Sequence, residues 1–215
     1  MMSDKHDSSA IVIGAGIGGL SAALRLAAHG YSVTVFEQNS AVGGKIRQVS
    51  SAVGPIDTGP TVVTMLDIFE NLFAETGADL HDYVQLGSNL MIARHFWSDG
   101  MQFDLFRDVD RNAAEIENTF GPKSAQQYRH FERQTLAMYR AFDAPVMRSG
   151  KINLFSAGKA VLSNPSIWPV MLKRNLDSYL RSCFSEPRLR QLFGRYATYV
   201  GGSPNSSQGG DRVGF

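Results

Sequence analysis

Three glycines near the N-terminus constrain this chain more than any other feature in it. Gly14, Gly16 and Gly19 form G-x-G-x-x-G, a short pattern that carries weight only in the right context. Ala10-Ile11-Val12-Ile13 precedes them and is apolar at every position, as in a parallel strand buried on both faces. Leu20 to Gly30 follows, with Leu20, Ala23, Leu24, Ala27 and Ala28 at helical spacing and Gly30 as the stop. Ser32 to Glu37 (SVTVFE) then alternates as a second, β-branched strand that ends in an acid. Together these pieces predict a βαβ unit with a right-handed crossover.

Each residue of the pattern has a mechanical reason. Gly14 permits the tight turn out of the strand, Gly16 lets a pyrophosphate approach the backbone, and Gly19 lets helix and strand pack closely. The opening turn of the helix offers free N–H groups and the positive end of its dipole to phosphate. Glu37 lies roughly 20 residues beyond Gly14, where a ribose-binding carboxylate belongs, and its charge repels a 2′-phosphate, which disfavours NADP. FAD and NAD share this fingerprint, so the next segment has to choose. Beyond Glu37 come Gly43-Gly44-Lys45 and then Asp57-Thr58-Gly59-Pro60-Thr61. A second glycine pair brings more backbone towards the cofactor with a cation beside its phosphates, whereas a simple NAD-binding unit runs straight into its next strand and helix. The pattern favours FAD.

The rest of the chain reads as mixed α and β. Lys45–Val49 and Val53–Asp57 form a hairpin-like excursion, and Leu66–Gly77 carries Leu66, Phe69, Leu72 and Phe73 on one helical face. Met91–Trp97 and Met101–Phe106 flank Ser98-Asp99-Gly100, a turn between two strands. Pro122–Phe142 predicts a long amphipathic helix with proline in its first turn. Further helices are expected over Pro165–Leu180 and Pro187–Tyr196. The fold class expected is α/β: an incomplete Rossmann-like FAD-binding βαβ domain over residues 1–85, then a partial, largely helical α+β substrate or lid domain over residues 86–204. Residues 205–215 (NSSQGGDRVGF) read as a disordered tail.

Composition excludes several classes. A net charge of +1 with no strongly basic run gives no basis for nucleic-acid binding. The single cysteine, Cys183, excludes an internal disulfide and fits a reducing compartment. His6, His29, His81 and His130 show no metal-ligand spacing, so no metal is expected. The N-terminus lacks a secretory pattern, and the longest apolar run, Ile167–Leu172, is far short of the roughly 20 residues that span a bilayer. The expectation is a cytoplasmic protein, or one peripheral to a membrane.

The segments GAGIGGLSAALRLAAHGYSVTVFEQNSAVGGK and IDTGPTVVTM resemble the phytoene-desaturase-type carotenoid desaturases, within the amine-oxidase-like flavoproteins. ARHFWSDG with Asp104–Phe106, Ala141–Val146, and above all PRLRQLFGRYATYVGGSP at Pro187–Pro204 resemble the 1-hydroxycarotenoid 3,4-desaturases, also called methoxyneurosporene dehydrogenases. The resemblance runs from Ala10 to Pro204 and implies an FAD-dependent enzyme. It would remove two hydrogens from a hydroxylated acyclic carotenoid of neurosporene type, adding a C3–C4 double bond. It places cofactor contacts on Gly14, Ala15, Gly16, Ile17, Gly18, Gly19, Glu37, Gly44 and Lys45, with Gly59, Pro60 and Thr61 near the isoalloxazine. The family often has arginine where Lys45 stands, and lysine gives up the bidentate geometry.

No catalytic acid or base is identified. Arg94 and His95, beside Phe96 and Trp97, either line a polyene tunnel or belong to a strand that alternates between core and surface. A water-insoluble substrate implies loading from the inner or photosynthetic membrane. Leu154-Phe155, Val161-Leu162 and Ile167–Leu172, with Lys159, Lys173 and Arg174, read either as an interfacial patch or as a helical lid packing its own core. Residues after Pro204 do not match the family's continuation, so the expectation is an N-terminal piece of a desaturase. Three readings stand: a desaturase, a non-catalytic FAD- or carotenoid-binding fragment, and a related flavoprotein with another substrate.

Overall fold

The computed structural model describes residues 8–60, 62–148, 154–173, 175–200 and 202–204. They fall into two compact units, one ending at Gly87 and the other beginning at Ser88. The tail 205–215 and Thr61 lie outside the described residues.

The first unit opens with β1 (Ser9–Ile13), α1 (Ile17–Ala28) and β2 (Ser32–Phe36). β1 pairs parallel with β2, Val12 opposite Val35, so the βαβ unit forms as the pattern predicts. α1 starts three residues earlier than the apolar spacing suggests, because Gly18 and Gly19 enter helical geometry without an apolar side chain to announce it. It stops at Gly30, whose φ of 88° only glycine adopts readily. One expectation fails here. Ile11 is 68% and Ile13 88% exposed, so β1 is not buried on both faces. Val12 faces α1, whereas the face carrying Ile11 and Ile13 has no covering layer among the described residues. β3 (Gln48–Ser51) and β4 (Gly54–Asp57) form the antiparallel hairpin, and α2 (Leu66–Glu75) follows.

The second unit is built on the antiparallel pair β5 (Met91–Phe96) and β6 (Gln102–Phe106), with a bulge between Met91 and Ala93. Then come α3 (Val109–Phe120), α4 (Pro122–Phe142), α5 (Leu154–Leu162), α6 (Trp168–Met171), α7 (Leu176–Cys183) and α8 (Pro187–Gly194). The periodicity of the sequence had no reading for α3, although its signals are present. The Asp108 side chain accepts the Arg111 N–H at 2.7 Å as an N-cap. Val109, Ala113, Ile116 and Phe120 form an apolar stripe, and Gly121 with φ of 86° ends the helix and starts α4. The expected single helix over Pro165–Leu180 is broken. Asn175 leaves helical geometry and caps α7, accepting the Ser178 N–H at 2.9 Å while its own N–H donates to Ser178 Oγ at 3.2 Å.

The core of this unit sits where α4, α7 and α8 meet β6. Phe131 of α4 packs against Phe184, Phe193 and Tyr179 at centroid distances of 5.1, 4.8 and 5.9 Å. Ile116, Leu189 and Ile167 are fully buried beside them. A buried polar group joins the layers. Asn112 accepts the Phe106 N–H and donates to the Phe106 carbonyl, both at 2.7 Å, and reaches the Tyr128 hydroxyl at 3.2 Å. Saturating the backbone at the end of β6 removes the penalty that an orphaned buried peptide group would impose.

The two aromatic-strand expectations resolve in favour of alternation. Arg94 points outward and is gripped by both oxygens of Asp104, at 2.6 and 2.7 Å. His95 and Trp97 turn inward, Trp97 donating to Gln191 Oε1 at 2.7 Å. Burial, reinforced by the Arg195 cation, pushes the His95 imidazole below its ordinary pKa, so it is neutral near pH 7. In the apolar stretch after α4, Ile167 and Val170 enter the core while Phe155, Leu162 and Leu172 stay exposed. Among the described residues no helix is long and apolar enough to cross a membrane.

Candidate functional site

The first unit gathers its glycines into one place. Gly14, with φ of 97°, turns the chain out of β1 and donates its N–H to the Phe36 carbonyl at 2.7 Å. Ala15 is buried, and its carbonyl accepts the Gly43 N–H at 2.8 Å. Gly16 forms a parallel bridge to Gly43 and precedes α1, whose first turn has no side-chain cap and no acidic residue. Uncapped N–H groups of Ile17, Gly18 and Gly19 at a helix start suit an anion.

Several of the glycines are held in close backbone contact. A Cβ on Gly19 would sit 1.9 Å from the Gly14 carbonyl oxygen, so α1 lies against the turn at a separation only hydrogen allows. A Cβ on Gly44 would meet Gly16 Cα at 3.1 Å, and Gly44 has φ of 61°. The glycine pair after β2 therefore closes over the first glycine loop, backbone to backbone. Gly59 belongs to the same construction, since its Cβ would fall 2.1 Å from the Lys45 carbonyl oxygen. Gly44, Lys45, Gly59 and Pro60 thus come together, although the hairpin separates them in the chain.

Two adjoining cavities open at this junction. The larger, about 660 Å³, is lined by Gly16, Ile17, Gly43–Ile46, Pro60, Val62–Thr64 and Phe69. The smaller, about 360 Å³, is lined by Gly44, Lys45, Arg47, Thr58, Gly59 and Pro60. The size of the larger one is in the range of small-molecule and cofactor sites. Arg47, Val62, Val63, Thr64 and Phe69 carried no sequence signal for this role; Arg47 is held at the site by Thr58, whose N–H and hydroxyl both donate to its carbonyl.

Glu37 stands one residue past β2 and is held on both oxygens. Its Oε2 accepts the Ala15 N–H at 2.8 Å, and its Oε1 accepts the Asn39 N–H at 2.9 Å and Asn39 Nδ2 at 2.6 Å. Donation from the Asn39 backbone, then from Ala15 and the Asn39 side chain, keeps this carboxyl below its ordinary pKa. A carboxylate has about four acceptor positions, so these three bonds leave room for a hydroxyl. Asn39 was not singled out by the sequence pattern; an Asn two residues beyond an acid is the signal that would have found it. A depressed pKa contributes stability that is present above the unfolded value and lost as pH falls through the folded one. The Glu37 carboxyl is therefore expected to titrate below the ordinary glutamate value in a carbon-detected NMR titration. Glu37→Gln is expected to weaken adenosine binding about tenfold by losing the charge-assisted acceptor. A carboxyl that titrates at the ordinary value would show that Ala15 and Asn39 do not hold it.

Among the described residues no group of three or more His, Cys, Asp or Glu side chains is arranged to hold a metal ion.

Comparison with known proteins agrees with this geometry. The sequence model of a family described as an NAD(P)-binding Rossmann-like domain matches residues 12–75. The chain is 41% identical over 200 residues to a hydroxyneurosporene desaturase of Cereibacter sphaeroides, covering 93% of this chain and 40% of that protein. It is 41% identical over 204 residues to the hydroxyneurosporene desaturase of Rhodobacter capsulatus, covering 94% and 41%. A 1-hydroxycarotenoid 3,4-desaturase of a Flavobacterium species is 32% identical over 208 residues, covering 93% and 41%. The chain thus spans about two-fifths of the length of the curated relatives it matches. Over nearly its whole length the chain is a homologue of carotenoid desaturases, and its N-terminal part is a Rossmann-like dinucleotide-binding domain.

Proposed function

We propose that the first unit binds FAD, and that the protein acts in the FAD-dependent desaturation of a hydroxylated acyclic carotenoid. The carrying observation is the interlocked backbone of Gly16, Gly43, Gly44 and Gly59 around an uncapped helix start, in a chain 41% identical to hydroxyneurosporene desaturases over 93% of its length. Simple dinucleotide-binding turns do not need the second glycine pair; here Gly44, with φ of 61°, packs closely on Gly16, and a Cβ on Gly43 would meet the Ile46 carbonyl oxygen at 2.5 Å. That cradle fits FAD, with Gly14, Ala15, Gly16, Ile17, Gly18 and Gly19 along the diphosphate and Glu37 on the adenosine ribose. Gly44 and Lys45 would lie beside the phosphates, and the segment Gly59, Pro60 and Thr61 is assigned to the isoalloxazine.

Bound FAD supplies the two-electron acceptor for hydrogens removed from adjacent carbons. The chain's own share is to bind and orient. The α1 N-terminus and Lys45 neutralise phosphate charge, Glu37 fixes the ribose, and Val62, Val63 and Phe69 keep an apolar wall on the larger cavity. The reading places the new double bond at C3–C4 of a neurosporene-type substrate carrying a hydroxyl. It assigns the second unit to the substrate, and its exposed Phe155, Leu162 and Leu172, with Lys159 and Lys173 nearby, to contact with the membrane that holds it.

Titration of the purified chain with FAD and with NAD⁺, followed by addition of a hydroxylated neurosporene-type carotenoid in anionic liposomes, tests this. The expected results are quenched flavin fluorescence, co-flotation with the liposomes and a red-shifted carotenoid spectrum. Preference for NAD⁺ overturns the cofactor; an FAD-loaded protein that leaves the carotenoid spectrum unchanged overturns the reaction.

A further inference from the structure

The smaller cavity contains two cations, and sequence reasoning accounts for only one of them. We infer that Arg47 is a second phosphate-binding residue, acting with Lys45 as a two-cation clamp on the diphosphate of the bound dinucleotide. This rests on the dinucleotide site described above.

The first ground is position. Arg47 lines the cavity of about 360 Å³ together with Lys45, Thr58 and Gly59. That cavity shares Gly44, Lys45 and Pro60 with the larger one, which includes Gly16 and Ile17 at the start of α1. Lys45 therefore borders both cavities, and Arg47 borders the smaller one, next to the space that the helix N-terminus faces.

The second ground is charge. Several arginines elsewhere are paired: Arg25 is held by Glu75, Arg94 by Asp104 and Arg181 by Asp177. Lys45 and Arg47 have no ion pair or side-chain hydrogen bond among the described residues. The carboxylate nearest in the hairpin, Asp57, accepts instead from Gln48 Nε2 at 2.9 Å. The hairpin thus places a neutral amide where a carboxylate-pairing cation would otherwise stand, and leaves its two cations available.

The third ground is rigidity. The Arg47 carbonyl accepts both the Thr58 N–H at 2.9 Å and the Thr58 hydroxyl at 3.1 Å. The Lys45 carbonyl lies against Gly59, with no room for a Cβ between them. The backbone bearing both cations is therefore fixed before a ligand arrives, and only side-chain freedom is lost on binding.

The chemistry then divides. A diphosphate diester carries two negative charges on neighbouring groups. The α1 N-terminus and Lys45 supply non-directional positive potential. Arg47 supplies a planar fork able to hold two oxygens of one phosphate at once. A lysine in the glycine-pair motif, lacking that fork, is compensated two residues later.

The test is calorimetric titration of the whole chain with ADP, AMP, adenosine, FAD and NAD⁺. The wild-type chain is expected to bind ADP more tightly than adenosine. Arg47→Gln is expected to weaken ADP about tenfold while leaving adenosine within about twofold, and Arg47→Lys to fall between. Equal ADP affinity in Arg47→Gln, equal loss for ADP and adenosine, or no wild-type preference for ADP over adenosine overturns the clamp. The cofactor assignment fails separately. Preference for NAD⁺ over FAD with an intact Arg47 effect sinks FAD and keeps the clamp; FAD binding that ignores Arg47→Gln does the reverse.

Discussion

Gly19→Ala is expected to abolish dinucleotide binding and to destabilise the first unit by about 3 kcal/mol or more. The new methyl would lie 1.9 Å from the Gly14 carbonyl oxygen and 3.0 Å from its carbon. Both are backbone atoms of a turn already tied to Phe36, so neither can swing aside as a side chain would. α1 must lift off β1, taking its N-terminal N–H groups away from the phosphate position. Gly18→Ala is the control, because nothing lies within 4 Å of its Cβ. Its stability should change by no more than about 0.5 kcal/mol, the helix gaining a little from alanine. Amide hydrogen exchange in β1 and ADP titration read the two effects. A Gly19→Ala variant with wild-type protection and affinity would show that helix and strand are not packed as described.

Phe131→Ala is expected to cost the second unit about 3–5 kcal/mol. Phe131 is 7% exposed and touches rings from α7, α8 and the turn between them, so truncation leaves a cavity that three separate elements would have to collapse to fill. Phe155→Ala removes the same side chain from a position 83% exposed and should change stability by less than about 0.5 kcal/mol. Both tryptophans of the chain, Trp97 and Trp168, lie in this unit. Tryptophan fluorescence in urea therefore follows its unfolding without contribution from the first unit. Equal midpoints for the two variants would contradict the aromatic cluster.

The candidate site was legible to the extent that its chemistry is carried by backbone. A glycine is visible in sequence wherever a Cβ would clash, as at Gly19, Gly43 and Gly59, or wherever the backbone takes a positive φ, as at Gly14 and Gly44. Side-chain roles were less legible. Lys45 is found from its motif, but Arg47 and Asn39 have no motif; one depends on Thr58 closing the hairpin and the other on the geometry at the end of β2. Missed elements follow the same logic. α3 has an N-cap, a stripe and a terminal glycine, yet its many polar residues hide the stripe, whereas Pro122–Phe142 shows proline, length and aromatic spacing together and is read to the residue.

Sequence alone determined the βαβ order, the parallel pairing, the acid after β2 and the glycine positions that a dinucleotide turn requires. These are local: they follow from steric room at single residues and from periodicity within one element. Tertiary structure decided which apolar residues are covered, because coverage depends on the layer packed opposite. Ile11 and Ile13 belong to the same apolar run as Val12, but only Val12 faces α1. It also decided where helices end inside the run from Pro165 to Leu180, since a cap at Asn175 prevails over continuous periodicity. And it brought Gly44, Lys45 and Gly59 to one place, because only hairpin closure joins residues that the chain keeps apart.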